Sequence, residues 1–154
     1  MVRFAQEYNL PWQGEEELVE RKEFVVLAVD DEPDLLQMVE DILGGVEGIK
    51  LIKASNGFSA GAKLVEERPD LLLLDFLMPE LDGFEFARFV RQDARFKDIP
   101  IVAVTALKAE ADRERVKEAG ITEMIHKPFS VTEMTQMVAR YRRLKEEKKA
   151  FKAA

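Results

Sequence analysis

The sequence predicts an α/β domain in which helices cover both faces of a five-stranded parallel sheet. Short apolar runs alternate with amphipathic stretches through residues 24–139, a pattern typical of successive βα units. A chain of 154 residues with 47% hydrophobic content fits one compact domain with short extensions. Glycine and proline residues separate the segments, which supports this division. We therefore predict one hydrophobic core and one main site.

Five apolar runs are the predicted strands, and each is followed by a predicted helix. The strands are residues 24–29, 49–53, 71–74, 99–104 and 122–125. The helices are residues 34–43, 58–67, 83–91 and 109–119, with a fifth that begins at Ser130. Ser130 and Glu133 have the spacing of a capping box, which predicts the start of the last helix.

Charge separates this core, residues 24–140, from an extension at each end. The N-terminal extension, residues 1–23, carries six acidic residues against three basic ones. Its segment 8–12 (Tyr-Asn-Leu-Pro-Trp) either folds back on the domain or marks a docking peptide. Residues 141–154 form a basic tail that continues the apolar seam of the last helix. That seam predicts either one long helix packed on its own sheet or a helix that binds a partner or a second copy.

Composition excludes several classes of function. The chain has no cysteine, which excludes disulfides, thiolate metal sites and cysteine nucleophiles. No segment is apolar and long enough to cross a bilayer, so we expect a cytoplasmic protein with no membrane partner. A net charge of -7 and a pI near 4.9 argue against direct nucleic-acid binding, which needs a basic face. A cation or a cationic protein surface is the ligand that this charge favours.

Polar side chains stand at or just beyond the ends of four predicted strands, and they are Asp30 with Asp31, Asp75, Thr105 and Lys127. The reactive site of an open parallel sheet lies beyond the carboxyl ends of its strands, so these groups are predicted to converge. Three neighbouring carboxylates repel one another unless a cation or shared protons intervene, and Mg²⁺ suits such oxygen ligands. Phosphoryl transfer to a carboxylate needs alignment and neutralised charge, which Mg²⁺, Lys127 and Thr105 are predicted to supply.

Four motifs in order carry a family resemblance, and they are residues 29–32 (Val-Asp-Asp-Glu), 74–79 with Asp82-Gly83, 104–106 (Val-Thr-Ala) and 127–129 (Lys-Pro-Phe). Their order and spacing resemble the receiver domain of bacterial two-component response regulators, over residues 24 to about 140. The resemblance implies a flavodoxin-like fold with sheet order 2-1-3-4-5. It also implies a stand-alone, chemotaxis-regulator-like signalling receiver, which accepts a phosphoryl group and dephosphorylates itself, rather than an enzyme.

The resemblance assigns a role to each site residue. Asp75 is implied as the phosphoacceptor, with Asp31, Asp75 and the backbone carbonyl of Leu77 as direct Mg²⁺ ligands and Asp30 acting mainly through water. Thr105 and Lys127 are implied to contact phosphoryl oxygens. A cis peptide is implied between Lys127 and Pro128. The implied partners are a histidine kinase or histidine phosphotransfer protein as donor and an unknown downstream protein.

Three residues depart from the family pattern. Met124 stands where receivers commonly carry an aromatic switch residue. Leu77 and Leu107 are apolar at the positions that tune the access of water to the phosphoryl group. We therefore predict an aspartyl phosphate that lives longer than in receivers with polar residues there. These departures also support an alternative function, a receiver-fold interaction module that binds partners without phosphorylation.

Two other functions fit the sequence less well. An aspartate-nucleophile phosphatase places Asp-x-Asp after its first strand, whereas this chain has Asp30-Asp31-Glu32. A flavin-binding flavodoxin needs a small, hydroxyl-rich phosphate loop, which the turn after the first strand lacks. The single histidine, His126, is interpreted as an ordinary strand-end residue because no second metal ligand of its kind is present.

Overall fold

The structure is a computed structural model and describes residues 23–106 and 112–153. Its strands are β1 (Phe24–Val29), β2 (Ile49–Ala54), β3 (Leu71–Leu74), β4 (Leu77–Met78), β5 (Leu81–Asp82), β6 (Ile101–Thr105) and β7 (Glu123–His126). Its helices are α1 (Pro33–Leu43), α2 (Gly57–Glu67), α3 (Gly83–Gln92), α4 (Arg113–Glu118) and α5 (Val131–Ala153).

The main sheet has five parallel strands in the order β2-β1-β3-β6-β7, which confirms the predicted order 2-1-3-4-5. Strands β1, β3 and β6 are buried along their whole length. A parallel strand with helices on both faces has no solvent side, which explains the continuous apolar runs. Val29 pairs with Leu74, so β1 and β3 end at the same level, and Leu74 pairs with Ala103, two residues before the end of β6.

Side chains of successive strand residues alternate between two hydrophobic clusters, one on each face of the sheet. Leu27 and Leu72 belong to the cluster that also contains α2 and α3 residues. Val26 and Leu71 belong to the cluster that contains α1 and α5 residues. The fold therefore has helical layers on both faces, as predicted.

The largest difference from the predicted elements lies around β6 and the β4–β5 hairpin. The fourth strand of the main sheet was predicted to begin at Ile99 but begins at Ile101. Pro100 has no N–H to donate to a neighbouring strand, and the Ile99 N–H donates to the carbonyl of Phe96 at 3.3 Å, which forms a turn. The two-residue strands β4 and β5 form a separate antiparallel pair that the sequence did not reveal. Strands of that length show no measurable periodicity.

Helix starts follow local capping chemistry. Asp82 Oδ1 accepts from the N–H groups of Phe84 and Glu85 at 2.9 and 3.4 Å at the start of α3. The predicted capping box is confirmed, since Ser130 Oγ accepts from the Glu133 N–H at 3.0 Å and Glu133 Oε1 accepts from the Ser130 N–H at 3.3 Å. The predicted start of the fourth helix, at residue 109, lies outside the described residues.

Helix α5 is a single helix of 23 residues that includes most of the predicted basic tail. At 1.5 Å per residue it is about 34 Å long, whereas a six-residue strand spans about 20 Å. It packs on the sheet through Met134, Met137, Val138 and Tyr141, all buried. The remaining turns therefore run past the sheet. Within the described residues, no helix has both the length and the apolar character that crossing a membrane requires.

Candidate functional site

The candidate site is built on the ends of the two neighbouring strands β1 and β3. Asp30 and Asp75 follow these strands directly, and the Asp75 N–H donates to the carbonyl of Val29 at 3.0 Å. The two aspartates are only 3% and 2% exposed. A buried carboxylate is costly unless it is paired with a cation or hydrogen-bonded, so each needs a partner.

Lys127 supplies a shared cationic partner. Its ammonium nitrogen Nζ lies 2.8 Å from Asp30 Oδ2, 3.1 Å from Asp75 Oδ2 and 3.2 Å from Glu32 Oε1. An ammonium group has three N–H donors, so it can serve all three carboxylates. The residue follows β7, and its N–H donates to the carbonyl of Thr105 at 3.0 Å. The expected cis peptide between Lys127 and Pro128 is present.

Backbone donors hold the other oxygen of each buried carboxylate. Asp30 Oδ1 accepts from the Glu32 N–H at 2.9 Å, and Asp75 Oδ1 accepts from the Leu77 N–H at 3.0 Å. In each case an aspartate side chain accepts a hydrogen bond from the backbone N–H two residues later, and this local turn fixes the orientation of the carboxylate. Both carboxylates are thus positioned from two sides.

The electrostatics of the pair follow from burial and charge. Burial raises the pKa of Asp30, with a further contribution from the Asp75 charge, although bonds from Lys127 and the Glu32 N–H oppose the rise. Burial alone would lower the pKa of Lys127, but its hydrogen bonds and charge interactions with Asp30 and Asp75 outweigh burial and raise it. Lys127 is therefore an ammonium ion at neutral pH.

The donor set fits a hard divalent cation. Asp30, Asp31, Glu32 and Asp75 each offer a carboxylate oxygen, and these four oxygens lie within 4.8 Å of one another. An all-oxygen set suits Mg²⁺ or Ca²⁺ rather than a softer metal. Asp31 and Glu32 are exposed, which leaves one side of the cluster open to water. The sequence did not single out Glu32, although its position directly after Asp30-Asp31 was a usable signal.

Four of the other residues named from the sequence lie on strands β4, β6 and β7, and a fifth lies outside the described residues. Thr105 is the last residue of β6 and is fully buried. Met124 lies on β7, is partly buried and packs against the hydrophobic cluster on the α2–α3 face of the sheet. Leu77 is 52% exposed, and Leu107 lies outside the described residues. His126 is exposed and pairs in register with Thr105. The structure thus brings together Asp30, Asp31, Asp75 and Lys127, which come from three distant segments of the sequence.

Comparison with known proteins agrees with this geometry. Residues 26–139 match the family model of the response regulator receiver domain. The chain therefore belongs to the response regulator receiver family, and it is a phosphoacceptor domain of two-component signalling.

Among curated relatives, the sensor histidine kinase CheAY of Helicobacter pylori is 38% identical over 120 residues, which cover 77% of this chain and 15% of that protein. The chain thus spans only a small part of CheAY. The polar-differentiation response regulator DivK of Brucella anthropi is 32% identical over 116 residues, covering 75% of this chain and 94% of DivK.

Among solved structures, the chemotaxis protein CheY4 of Vibrio cholerae has a TM-score of 0.72 at 32% identity, covering 77% of this chain and 98% of that one. The receiver domain of the histidine kinase PA1611 of Pseudomonas aeruginosa has a TM-score of 0.69 at 28% identity and covers 77% and 97%. That structure carries a magnesium ion coordinated in its active-site cleft.

Proposed function

We propose that Asp75 is the residue that accepts the phosphoryl group. The observation that carries this proposal is the buried Asp75 carboxylate at the end of the central strand β3, with Lys127 Nζ 3.1 Å from Oδ2. Both carboxylate orientation and charge neutralisation are prepared before any donor arrives. Phosphoryl transfer depends mainly on these two factors, so this arrangement supports the proposal.

The proposed reaction transfers the group from a phosphohistidine. An oxygen of Asp75 bonds to phosphorus as the phosphorus–nitrogen bond of the donor breaks. The electron pair of that bond stays on the imidazole nitrogen, which then takes a proton from solvent. Lys127 and Thr105 bind the phosphoryl oxygens, and Lys127 also offsets the negative charge that the Asp75 carboxylate brings.

Asp31, Asp75 and the backbone carbonyl of Leu77 are the proposed direct ligands of Mg²⁺, with Asp30 acting through water. When bound, Mg²⁺ would neutralise charge on the phosphoryl oxygens. Glu32 adds a fourth carboxylate beside this set. Because it also contacts Lys127 at 3.2 Å, Glu32 is proposed to share that ammonium with Asp30 and Asp75.

The proposed donor is a histidine kinase or a histidine phosphotransfer protein. CheAY, a sensor histidine kinase, contains a region 38% identical to this chain, and DivK is a response regulator. The output is proposed to be a protein contact, triggered when Thr105 and Met124 move towards the phosphoryl group. The alternative output is a homodimer through α5, which would appear as concentration-dependent association.

Hydrolysis of the aspartyl phosphate would close the cycle. In this step a water oxygen bonds to phosphorus as the bond to Asp75 breaks, which releases inorganic phosphate and the carboxylate. Leu77 offers no polar group to orient that water and is 52% exposed beside the site. A slow autodephosphorylation is therefore part of the proposal.

Intact-mass measurement with Mg²⁺ and a small-molecule phosphodonor tests the proposal. We expect a gain of one phosphoryl group in the wild type and none in Asp75→Ala or after chelation of Mg²⁺. Asp41→Ala is the matched control, because Asp41 is an exposed aspartate on α1. An unmodified wild type, alongside a receiver that does react, would contradict the proposal and favour the interaction module that binds without phosphorylation.

A further inference from the structure

The last turns of α5 present a stripe that is both apolar and basic. Tyr141, Leu144, Lys148 and Phe151 follow one another at spacings of three or four residues, so they share one face of the helix. Tyr141 is buried on the sheet, whereas Leu144 is 44% and Phe151 85% exposed. The face that packs on the sheet therefore continues as an uncovered surface beyond it.

A groove of about 450 Å³ adjoins this stripe at the amino edge of the sheet. Apolar residues, including Pro69, Ile99 and Leu144, form part of its lining. Its charged lining residues are Arg95, Lys97, Lys145 and Lys148 against Asp70 and Asp98. The groove is within the size range of ligand sites and carries a net positive charge, so it suits an occupant that is acidic and partly aromatic.

We propose that residues 1–22 of this chain bind the α5 stripe and the adjoining groove. The described chain starts beside this surface, since Lys145 Nζ lies 6.0 Å from the centroid of the Phe24 ring. Lys145 also donates to Asp70 Oδ1 at 2.5 Å, which holds this part of α5 at the edge where β1 begins. Ten residues lie between Trp12 and Glu23, and the eleven steps of chain that join the two residues can span up to about 36–40 Å, more than the roughly 10 Å from Leu144 to Phe151.

The composition of residues 1–22 complements the surface. Residues 1–22 carry five glutamates against Arg3, Arg21 and Lys22, and residues 8–12 include Tyr8, Leu10 and Trp12. Residues 143–153 of α5 carry five basic residues against two acidic ones. A second copy of α5 would bring like charges together, whereas residues 1–22 bring opposite charges and a large apolar ring.

The consequence is an intramolecular competitor for any protein that uses this end of α5. A partner must displace residues 1–22 before it reaches Leu144 and Phe151. This inference goes beyond the chemistry of Asp75 and is independent of it, since a chain that cannot be phosphorylated would still bind its own N-terminal segment.

Trp12 is the only tryptophan in the chain, so its fluorescence in the full-length protein reports on the proposed contact. We expect Leu144→Ser with Phe151→Ser to shift Trp12 emission to longer wavelength and to increase acrylamide quenching. Phe58→Ser is the matched control, because Phe58 is 91% exposed on α2, and it should leave both signals unchanged. Unchanged emission and quenching in the Leu144/Phe151 variant would overturn the inference. Far-UV circular dichroism would confirm that each variant remains folded.

Charge exchange provides an independent test. Glu15→Lys, Glu16→Lys and Glu17→Lys together should expose Trp12, and so should Lys97→Glu, Lys148→Glu and Lys152→Glu. Combining the two sets should restore the wild-type emission, because it restores opposite charges across the contact. A combined variant as exposed as either triple variant would count against the charge complementarity. Emission that depends on protein concentration, with dimers in light scattering, would overturn the intramolecular contact in favour of a second copy.

Discussion

Arg91 donates two hydrogen bonds to the carbonyl oxygen of Gly120, through Nε at 2.9 Å and Nη2 at 2.8 Å. Its Nη1 donates to the carbonyl of Ile99 at 2.6 Å. The Arg91 side chain, at the end of α3, therefore holds in place the two segments that lead into β6 and β7. Burial lowers the pKa of Arg91, although it remains charged at neutral pH.

Arg91→Met should destabilise the domain by about 2–4 kcal/mol, because several partly buried carbonyl oxygens would lose charged donors. Urea unfolding gives the free energy directly. Arg88→Met is the control, since Arg88 is exposed on the same helix and its loss should cost less than about 0.5 kcal/mol. Equal losses for the two variants would contradict the role of Arg91.

Gly120 is expected to resist substitution for two reasons. Its φ is +76°, in the left-handed region that favours glycine, and an added Cβ would lie 2.8 Å from Arg91 Nε. Gly120→Ala should therefore lower stability by about 1–3 kcal/mol in urea unfolding. Gly45→Ala is the control, because no atom beyond its two chain neighbours lies within 4 Å of a Cβ built there. A Gly120→Ala protein as stable as the wild type would contradict this expectation.

Lys127→Met should cost about 3–5 kcal/mol in the absence of divalent cations, because Asp30 and Asp75 would be left buried without their shared ammonium. Adding Mg²⁺ should recover part of that loss, and should do so to a larger extent than it stabilises the wild type. Urea unfolding with Mg²⁺ and with a chelator measures both effects. A variant that gains no more from Mg²⁺ than the wild type would show that the two cations do not neutralise the same carboxylates.

Asp31→Asn should weaken Mg²⁺ binding without lowering the stability of the metal-free protein, since Asp31 is exposed and its charge adds to a crowded acidic cluster. At a Mg²⁺ concentration ten times the wild-type Kd, the wild type gains about 1.4 kcal/mol from binding, and the variant should gain much less. Asp34→Asn, an exposed change on α1, is the control. Equal Mg²⁺-dependent gains in wild type and Asp31→Asn would remove Asp31 from the proposed ligands.

The contact between Asp93 and Arg95 predicts a low pKa for the Asp93 carboxyl. Its side-chain and backbone hydrogen bonds from Arg95 lower the pKa of this carboxyl to about 2. A carboxyl whose pKa falls on folding stabilises the native state above its ordinary pKa, and that contribution disappears as the pH falls towards 2. Carboxyl NMR titration should find this low pKa, and Arg95→Gln should return it towards the ordinary value near 4. An ordinary pKa for Asp93 in the wild type would contradict the contact.

Much of the fold could be predicted from the sequence because parallel βα units leave strong patterns. The buried runs of β1 and β3 were bounded correctly, since each is a continuous apolar segment followed by an aspartate. The β4–β5 hairpin could not be found from periodicity, because each of its strands has two residues. The start of β6 was misplaced because Ile99 looks like a strand residue, whereas its N–H closes a turn on Phe96.

The position of the site could be predicted from the sequence, but the contacts between its side chains could not. Strand order and strand ends place Asp30 and Asp75 side by side, and motif order points to Lys127. No pattern in the sequence shows that one ammonium serves three carboxylates, because that depends on side-chain orientation across 97 residues. The contact of Glu32 with Lys127 also depends on side-chain orientation, although the position of Glu32 directly after Asp30-Asp31 was a usable signal.

Helix α5 begins four residues after Lys127 and ends beyond the opposite edge of the sheet. Its first turn therefore lies near the acidic site, and its last turns extend beyond the contact of Lys145 with Asp70. A rotation of about 5° at that contact would displace the end of α5, about 12 Å further along the helix, by about 1 Å. Phe151 therefore stands where such a displacement is largest, whereas Leu144 is held beside the Lys145 contact.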